Sequence, residues 1–303
     1  MDRNITVLLS TYNGERYLAE QIGSLLNQRG VDIQILIRDD GSTDSTVEII
    51  KDYRNRDERV HFIQGKNVGA GQSFFDLICR SQDTEYYAFC DQDDVWDEDK
   101  LLCALEMIGE CNADIPVLYH SNLRIVDENL QVIRIAHECP IDESQKYSCL
   151  ARNAVTGCTA VFNMAAKRLI QSHIPSEDIL HDNWIYMVCK FFGTVYYDFE
   201  PHISYRQHAA NVVGMHKMTF CGYLSRIRRF FIKGQQPRYE RALLFQKYYW
   251  NLMSKEDQQK LLEILEYKKS FYKRMKLLFD KDIREQTKRG DLRYRLLIIR
   301  GSI

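Results

Sequence analysis

The sequence predicts an α/β protein with a mostly parallel central sheet, helices on both faces of that sheet, and a helical segment at its C-terminal end. Two patterns predict this class. Over the first 90 residues, short β-branched runs alternate with amphipathic helical stretches, and a polar cluster follows each run. Beyond residue 214 the apolar positions recur only at helical spacing, as at Leu243, Leu244 and Tyr248.

The first half of the chain reads as repeated strand and helix units. Residues 5–9 form a continuous apolar run, as expected of a strand that is covered on both faces. Leu18, Ile22 and Leu25 then share one helix face, and Gly30 suits the end of that helix. The later units are a strand at 33–37, a helix containing Val47, Ile50 and Tyr53, a strand at 60–63, a helix near 74–79 and a strand at 86–90.

The second half is less regular. Strands are predicted at 117–120, 123–126, 132–135, 158–162 and 195–199, and helices at 165–171 and 183–192. We expect a first domain over residues 1–215, whose first half covers about 1–120 and whose second half covers about 121–215. A basic amphipathic helical region should then occupy residues 216–303.

Composition excludes several classes of protein. The 303 residues are 45% apolar and 27% charged, which is typical of a folded globular chain rather than a disordered one. The net charge of −1 conceals a split, because residues 217–303 carry 22 Lys/Arg and 9 Asp/Glu, a net of +13. The preceding residues carry a net of −14. The basic part is therefore expected to meet an anionic surface, either phospholipid or nucleic acid, or the acidic body itself.

The cysteines and the N-terminal residues indicate a reducing compartment. None of the nine cysteines forms a pair with two intervening residues, so zinc-ribbon spacing is absent and buried thiols are expected. The first residues enter a strand-like run without a signal-peptide pattern, and no apolar run reaches the length of a bilayer span. We therefore expect a cytoplasmic protein.

The run Asp91-Gln92-Asp93-Asp94 carries the most chemical information. It holds three carboxylates within four residues, directly after a predicted strand. A divalent cation would relieve their repulsion, and oxygen ligands suit Mg²⁺ or Mn²⁺. The alternative is a solvated turn whose acids cap the next helix.

Other polar clusters follow the predicted strands and leave two interpretations open. Asp39 and Asp40 could accept hydrogen bonds from a nucleoside, or could serve as helix-capping acids. The Ser10-Thr11-Tyr12-Asn13 segment offers hydroxyls and an aromatic ring, or simple turn chemistry. Asp182 is a general-base candidate or an N-terminal helix acid, and His208 is a ligand or an ordinary surface histidine.

The sequence lacks the signature residues of several enzyme classes. Gly69 and Gly71 begin a dinucleotide-like pattern, but Phe74 stands at the third glycine position and the loop is not the first βα turn. The sequence contains no GxxxxGK[ST] loop, GxSxG elbow or HExxH helix. Nicotinamide binding, P-loop hydrolysis, α/β-hydrolase and zincin chemistry are therefore excluded.

Together these motifs resemble glycosyltransferase family two. The resemblance covers roughly residues 3–213, in the expected order, and its most specific part is DDGSTD at 39–44 followed by DQDD at 91–94. The segments DQDDVW, HDNW and YRQHAANVVG look most like bacterial rhamnosyltransferases that build surface polysaccharide. The resemblance implies a GT-A fold and sugar transfer, with inversion, from a nucleoside diphosphate donor.

The resemblance also implies roles for individual residues. Asp182 would be the catalytic base, Asp93 would ligate Mg²⁺ or Mn²⁺, and His208 would add a metal or phosphate contact. The remaining implied contacts are to the nucleotide sugar, from Ser10, Thr11, Tyr12, Asp40, Asn67, Gly69, Asp91 and Gln92, and to the acceptor side, from Thr156, Gly157 and Trp184.

These inferences predict a rhamnosyltransferase that uses dTDP-rhamnose and a glycan or lipid-linked acceptor, and no nucleic acid. The basic and apolar residues between 223 and 233 are typical of interfacial helices, which predicts contact with the inner face of the cell membrane; the alternative is a helical subdomain that packs against the acidic body with its basic face in water. Two alternatives are a sugar nucleotidyltransferase and a non-catalytic nucleotide-sugar-binding module. The first would need a glycine-rich basic loop after the first strand, which the STYNG segment at 10–14 lacks.

Overall fold

A computed structural model describes residues 3–177, 179–208 and 237–303. The chain divides into two compact units. The first comprises Met1–Ser144 and Asn153–Arg206, and the second comprises Gln145–Arg152 and Gln207–Ile303. The domain boundary predicted near residue 215, and the basic segment at 223–233, lie outside the described residues.

The first unit begins with the four parallel strands that the sequence predicts. Its opening elements are β1 (Asn4–Thr11), α1 (Leu18–Leu26), β2 (Asp32–Asp39), α2 (Thr46–Arg56), β3 (Val60–Gln64), α3 (Ala70–Arg80) and β4 (Tyr86–Cys90). The strand order is β3-β2-β1-β4, and all three neighbouring pairs are parallel. Because each connection contains a helix, the carboxyl ends of these strands meet at one sheet edge.

The rest of the sheet is mixed. It contains β5 (Val95–Trp96), α4 (Lys100–Ile108), β6 (Val117–Val126), β7 (Val132–Ile135), β8 (Val161–Asn163), α5 (Met164–Gln171), α6 (His181–Phe192) and β9 (Thr194–Arg206). Strand β8 enters antiparallel between β4 and β6, whereas β9 runs parallel to β6. Strands β5 and β7 pair antiparallel with β9 and β6 respectively.

Two predicted strands differ from the observed ones. Residues 158–162 were expected to be extended, but Gly157–Thr159 is a 3-10 turn and β8 begins only at Val161. The Thr159 hydroxyl donates to the Thr156 carbonyl oxygen at 2.7 Å, which favours the turn locally. Strand β9 extends seven residues beyond the predicted end at 199, because its pairing with β6 resumes after a register shift near Asn122.

The core of the first unit lies on both faces of the parallel strands. Val7, Leu8 and Leu9 of β1 are all fully buried, as are Ile35 and Ile37 of β2. Full burial of one such side chain contributes about 1.5–3 kcal/mol. The apolar residues of α1 and α3 cover these strands, so the sheet edge that carries the polar clusters is held rigidly.

Gly193, between α6 and β9, provides a stability test. A Cβ atom at this position would lie 1.8 Å from the Pro116 carbonyl oxygen, so Gly193→Ala must displace backbone. We expect a loss of about 1–3 kcal/mol or more in the free energy of unfolding, measured by urea denaturation.

Gly23 in α1 is the matched control for that substitution. A Cβ there meets no atom within 4 Å, so Gly23→Ala should raise the free energy of unfolding by about 0.4–1 kcal/mol. Equal effects of the two substitutions would contradict the packing that the structure shows at Gly193.

The second unit is helical, as predicted. It contains α7 (Pro237–Tyr249), α8 (Lys255–Glu266), α9 (Phe271–Phe279) and α10 (Lys288–Arg300), together with 3-10 turns at Lys146–Leu150 and Trp250–Leu252. Side-chain oxygens of Ser254, Ser270 and Thr287 cap the last three of these helices. Among the described ranges, no helix has both the length and the apolar character that a membrane span requires.

Candidate active site

Three polar loops converge where the parallel strands end. Thr11 at the end of β1 pairs with Asp39 of β2, and Leu9 pairs with Cys90 at the end of β4. The segments that follow β1, β2 and β4 therefore emerge side by side. This is the edge at which open α/β sheets bind their ligands.

Gln92 ties the ends of β1 and β4 together. Its side-chain oxygen accepts from the Thr11 hydroxyl at 2.6 Å and from the Tyr12 backbone N–H at 2.8 Å. Its amide group donates to the Tyr12 carbonyl oxygen at 3.2 Å. Thr11 is buried, so its hydrogen bond with Gln92 organises the loop. Tyr12 is 46% exposed, and its ring lies at the edge of the sheet.

Asp40, for which the sequence suggests a nucleoside contact, lies inside a polar network instead of on the surface. It is 3% exposed and accepts from the backbone N–H groups of Val68 and Gly69, each at 2.9 Å. The buried Arg38 guanidinium donates to it at 2.5 Å and to Ser73 Oγ at 3.0 Å. This carboxylate thus shapes the loop that contains Asn67 and Gly69, and its contact with a nucleoside stays a prediction.

Ser10 joins the same network. Its hydroxyl lies 2.6 Å from Ser73 Oγ, at the end of β1. Gly69 begins α3 with a φ of 84°, a conformation that favours glycine, and this allows its N–H to point at Asp40. The loop over the strand ends is therefore preformed by buried ionic and hydroxyl groups.

The acidic run after β4 packs against a cysteine from the turn before β8. Ligand atoms of Asp91, Asp94 and Cys158 all lie within 4.8 Å of one another. Asp94 is fully buried and Asp93 is 9% exposed. The structure thus places Asp94 and Cys158 beside Asp91, whereas metal binding by Asp93, which the sequence indicates, stays a prediction.

Negative charge dominates this cluster. Burial, together with the charges of Asp93 and Asp182, raises the pKa of Asp91 to about 7. Burial and the charges of Asp93 and Asp91 likewise raise the pKa of Asp94. The charge of Asp182 raises the pKa of Asp91, so the start of α6 lies near the end of β4.

Two buried basic residues, Lys100 and Arg206, lie next to the acidic cluster. Burial lowers the pKa of Lys100 to about 8, and its ammonium lies 3.5 Å from the centre of the Trp96 ring. Arg206 at the end of β9 donates to the Asp93 carbonyl oxygen at 2.9 Å and also pairs with Glu20. The Arg206 backbone N–H donates to Asp94 at 3.1 Å. Neither residue was assigned a role from the sequence: Lys100 belongs to no motif, and Arg206 lies in the YRQHAANVVG segment, where only His208 was singled out.

Asp182 lies in the first turn of α6. It accepts from the Asn183 backbone N–H at 2.6 Å and from the Asn153 amide at 3.2 Å. Asp182 remains half-buried, and an anion at this helix end is stabilised by the helix dipole. These contacts orient a half-buried carboxylate at the start of α6.

His181 holds the start of α6 in the core. Its ring stacks on Phe74 with 3.7 Å between ring centres and contacts Phe89 edge-on at 4.6 Å. A Cβ atom at Gly157 would lie 2.6 Å from His181 Nε2, so the glycine permits this packing. Gly157 therefore positions α6, and the acceptor contact implied for it is indirect.

The burial of His181 predicts a pH dependence. Burial lowers the pKa of His181 from 6.5 to about 3, so below pH 6.5 the unfolded chain binds a proton that the folded chain does not. Stability from this residue is therefore complete above pH 6.5 and is lost as the pH falls towards 3. The loss between pH 7 and pH 5 should be about 2 kcal/mol.

Urea denaturation of the wild type and of His181→Phe across this pH range measures the contribution of His181 to the free energy of unfolding. The variant should show a shallower slope of unfolding free energy against pH. The slope is the readout because the larger ring also crowds Gly157. Identical slopes would contradict a buried neutral His181.

The other predicted acceptor-side and metal residues have different surroundings. Trp184 is fully buried, so it belongs to the core and cannot touch an acceptor as predicted, whereas Thr156 is half-buried. The sequence signal misled because a tryptophan two residues from a candidate base fits the apolar face of α6 equally well. His208 follows β9 directly and belongs to the second unit, so its metal contact stays a prediction.

The cluster fits a hard divalent cation. Carboxylate oxygens are the ligands that Mg²⁺ and Mn²⁺ prefer, and the fully buried Asp94 Oδ2 has no hydrogen-bond partner in the described part of the chain. Burial and the two carboxylates keep the pKa of Cys158 well above its usual range, so its sulfur is a protonated thiol beside Asp91 and Asp94. Oxygen ligation by the aspartates is therefore the consistent arrangement.

This fold, with carboxylates beyond its strand ends, defines a glycosyltransferase of the GT-A fold class. Crystal structures of S. aureus TarS share the fold. TarS 1-349 in complex with UDP-GlcNAc matches with a TM-score of 0.54 and 15% identity, over 86% of this chain and 79% of that one. The structure of TarS itself matches with a TM-score of 0.58 and 16% identity, over 92% and 46%.

The family follows from the sequence comparisons. The model of "Glycosyl transferase family 2" matches residues 6–169, which is more than half of the chain. The dTDP-rhamnosyl transferase RfbG of Shigella flexneri is 31% identical over 221 residues, which cover 68% of this chain and 73% of RfbG. The teichuronic acid biosynthesis glycosyltransferase TuaG of Bacillus subtilis (strain 168) is 30% identical over 158 residues, or 52% and 60%. The chain belongs to glycosyl transferase family 2.

Proposed function

We propose that this glycosyltransferase moves rhamnose from dTDP-rhamnose to a glycan or lipid-linked acceptor during surface polysaccharide synthesis, with inversion and with Mg²⁺ or Mn²⁺. The observation that carries the proposal is the closeness of the acidic run after β4 to Asp182 at the start of α6, whose charge, together with that of Asp93, raises the pKa of Asp91. The similarity to RfbG supports rhamnose as the sugar, and the similarity to TuaG supports a cell-surface polymer as the product.

The proposed reaction is a single displacement. An acceptor hydroxyl loses its proton to the Asp182 carboxylate while its oxygen bonds to the anomeric carbon. The bond from that carbon to the diphosphate oxygen breaks, and its electron pair leaves with dTDP. Because attack and departure occur on opposite faces, the anomeric configuration inverts. General-base assistance of this kind contributes roughly 10² to 10⁴ in rate.

The acidic run holds the donor's diphosphate end. Asp91 and Asp93 would bind the cation, which when present stabilises the negative charge on the leaving diphosphate by several kcal/mol. Lys100 and Arg206 fix the turn that carries these carboxylates. Tyr12 offers its exposed ring to the nucleobase.

A thermal-shift screen tests this function. With Mn²⁺ present, dTDP-rhamnose should raise the melting temperature more than UDP- or GDP-sugars do, because a ligand bound only by the folded state stabilises it. The shift should shrink when EDTA replaces Mn²⁺. A larger shift with dTTP than with any nucleotide sugar would favour a nucleotidyltransferase, and no shift with any of these ligands would contradict the proposal.

The outward face of α10 supports contact with an anionic membrane surface at the cytoplasmic face. Leu292, Leu296 and Ile299 recur at intervals of four and three residues and are 49–61% exposed. Arg289 and Arg293 lie on the same exposed stripe. Bulky apolar side chains flanked by arginines are typical of helices that lie in the membrane interface.

Vesicle sedimentation with phosphatidylserine tests this contact. Each basic residue near an anionic surface contributes about 1 kcal/mol, so Arg289→Gln/Arg293→Gln should weaken binding by roughly 30-fold. The control is Arg54→Gln/Arg56→Gln, which removes the same charge from exposed positions of α2. If both double variants bind equally well, this face does not contact the membrane.

A further inference from the structure

A second group of metal-ligand side chains lies between α4 and β9, apart from the acidic run. Asp99 caps the start of α4, and Cys103 lies one helical turn further along the same helix face. His202 belongs to β9, and its backbone carbonyl oxygen accepts from the Asp97 N–H at 3.1 Å. One ligand atom from each of Asp99, Cys103 and His202 lies within 4.8 Å of the others.

The orientation of His202 is fixed by a second carboxylate. Its Nε2 lies 3.1 Å from Asp198 Oδ2, and that oxygen also accepts from the buried Tyr119 hydroxyl at 3.0 Å. Since Nε2–H donates to Asp198, the Nδ1 lone pair points away from it, and Nδ1 lies 4.0 Å from Asp99 Oδ1. A lone pair that faces a carboxylate and a sulfur is repelled by both unless a proton or a metal cation lies between them. A histidine held by a carboxylate on its other nitrogen is the usual arrangement around a ligated metal.

We propose that Asp99, Cys103 and His202 bind a transition-metal dication of the Zn²⁺ type, with water in the fourth position. Zinc–ligand bonds of about 2.0–2.3 Å in a tetrahedron place ligand atoms roughly 3.3–3.8 Å apart. The observed spacing, within 4.8 Å, is at most about 1.5 Å wider. The half-exposed Asp99 side chain has room to close that difference.

The ligand chemistry separates this site from the acidic run. A cysteine and a histidine favour Zn²⁺ or Co²⁺, whereas carboxylates alone favour Mg²⁺ or Mn²⁺. A bound metal would join the start of α4 to β9, just after the DQDD turn. The site therefore adds stability to the frame that supports the acidic run, independently of the sugar that is transferred.

Titration of the full-length protein with Co²⁺, in excess Mg²⁺, tests the proposal through the absorption spectrum. We expect one equivalent of Co²⁺ to give visible bands of a tetrahedral ion together with a near-ultraviolet band from thiolate ligation. Zn²⁺ should displace the Co²⁺ and abolish both. Asp198→Asn should weaken binding by about 10- to 100-fold, as loss of a carboxylate that orients a ligand does.

Cysteine variants decide which sulfur binds. Cys103→Ser should lose the thiolate band, and His202→Gln should lose tight binding. Cys158→Ser, which changes the other cysteine that lies near carboxylates, should keep both. A thiolate band that survives Cys103→Ser but disappears in Cys158→Ser would overturn the proposal, as would the absence of any band at one equivalent. Circular dichroism of each variant establishes that it is folded.

Discussion

Asp182→Asn is expected to reduce kcat for sugar transfer by about 10² to 10⁴ while leaving donor binding nearly unchanged. An amide cannot accept the acceptor's proton, yet it keeps the shape of the side chain. Its remaining oxygen can still accept from the Asn183 N–H, whereas the contact with the Asn153 amide, which uses the other carboxylate oxygen, is lost. Helix α6 should therefore stay in place, because His181 and not Asp182 packs in the core.

Transfer kinetics and dTDP-rhamnose titration, measured on the same preparation, check this prediction. Glu138→Gln is the matched control, because it removes one exposed carboxylate from the same half of the chain and should change neither quantity. If Asp182→Asn kept more than a tenth of the wild-type kcat, Asp182 would not be the base. A loss of donor binding equal to the loss of rate would instead assign Asp182 to the donor site.

Asp93→Asn is expected to lower kcat/KM by roughly 10² to 10³ and to remove the response of donor binding to Mn²⁺. The same substitution should not reduce stability. It removes a charge that raises the pKa of both Asp91 and Asp94, so it relieves repulsion in the folded protein. An inactive variant whose melting temperature is unchanged or higher is the signature of a carboxylate kept for binding a cation.

Kinetics at varied Mn²⁺ concentrations and thermal melts measure the two effects together. Glu98→Gln is a suitable control, since this exposed acid lies only five residues further along and pairs with Arg29 on the surface. Near-normal activity of Asp93→Asn at every Mn²⁺ concentration would contradict the assignment. A melting temperature that falls with activity would indicate a structural role instead.

The parallel half of the fold was predictable because its strands are buried on both faces. The runs at 5–9 and 33–37 have few polar interruptions, and glycine-rich loops separate them from the helices. The turn at Gly157–Thr159 was not predictable. Its sequence is as apolar as a strand, and the need for a glycine arises only from the His181 ring that packs against it.

The residues of the candidate site likewise fall into those that the sequence could predict and those that it could not. The acids of the DQDD run and Asp182 could be found because carboxylates after a strand and at a helix start are unusual enough to notice. Their closeness could not be read directly, since 88 residues separate Asp94 from Asp182. The use of Asp40, Thr11 and Gln92 as structural groups became visible only through their partners. The burial of Arg206 and Lys100 could not be predicted, because a basic residue is ordinarily on the surface.

A crystal grown with Mn²⁺ and dTDP tests the central claim directly, through the anomalous signal of manganese. We predict one strong peak between the diphosphate and the carboxylates that follow β4, with the Asp182 side chain across the same cleft from the leaving oxygen. A manganese peak remote from residues 91–94, or a diphosphate bound where Asp182 cannot reach the sugar position, would contradict it.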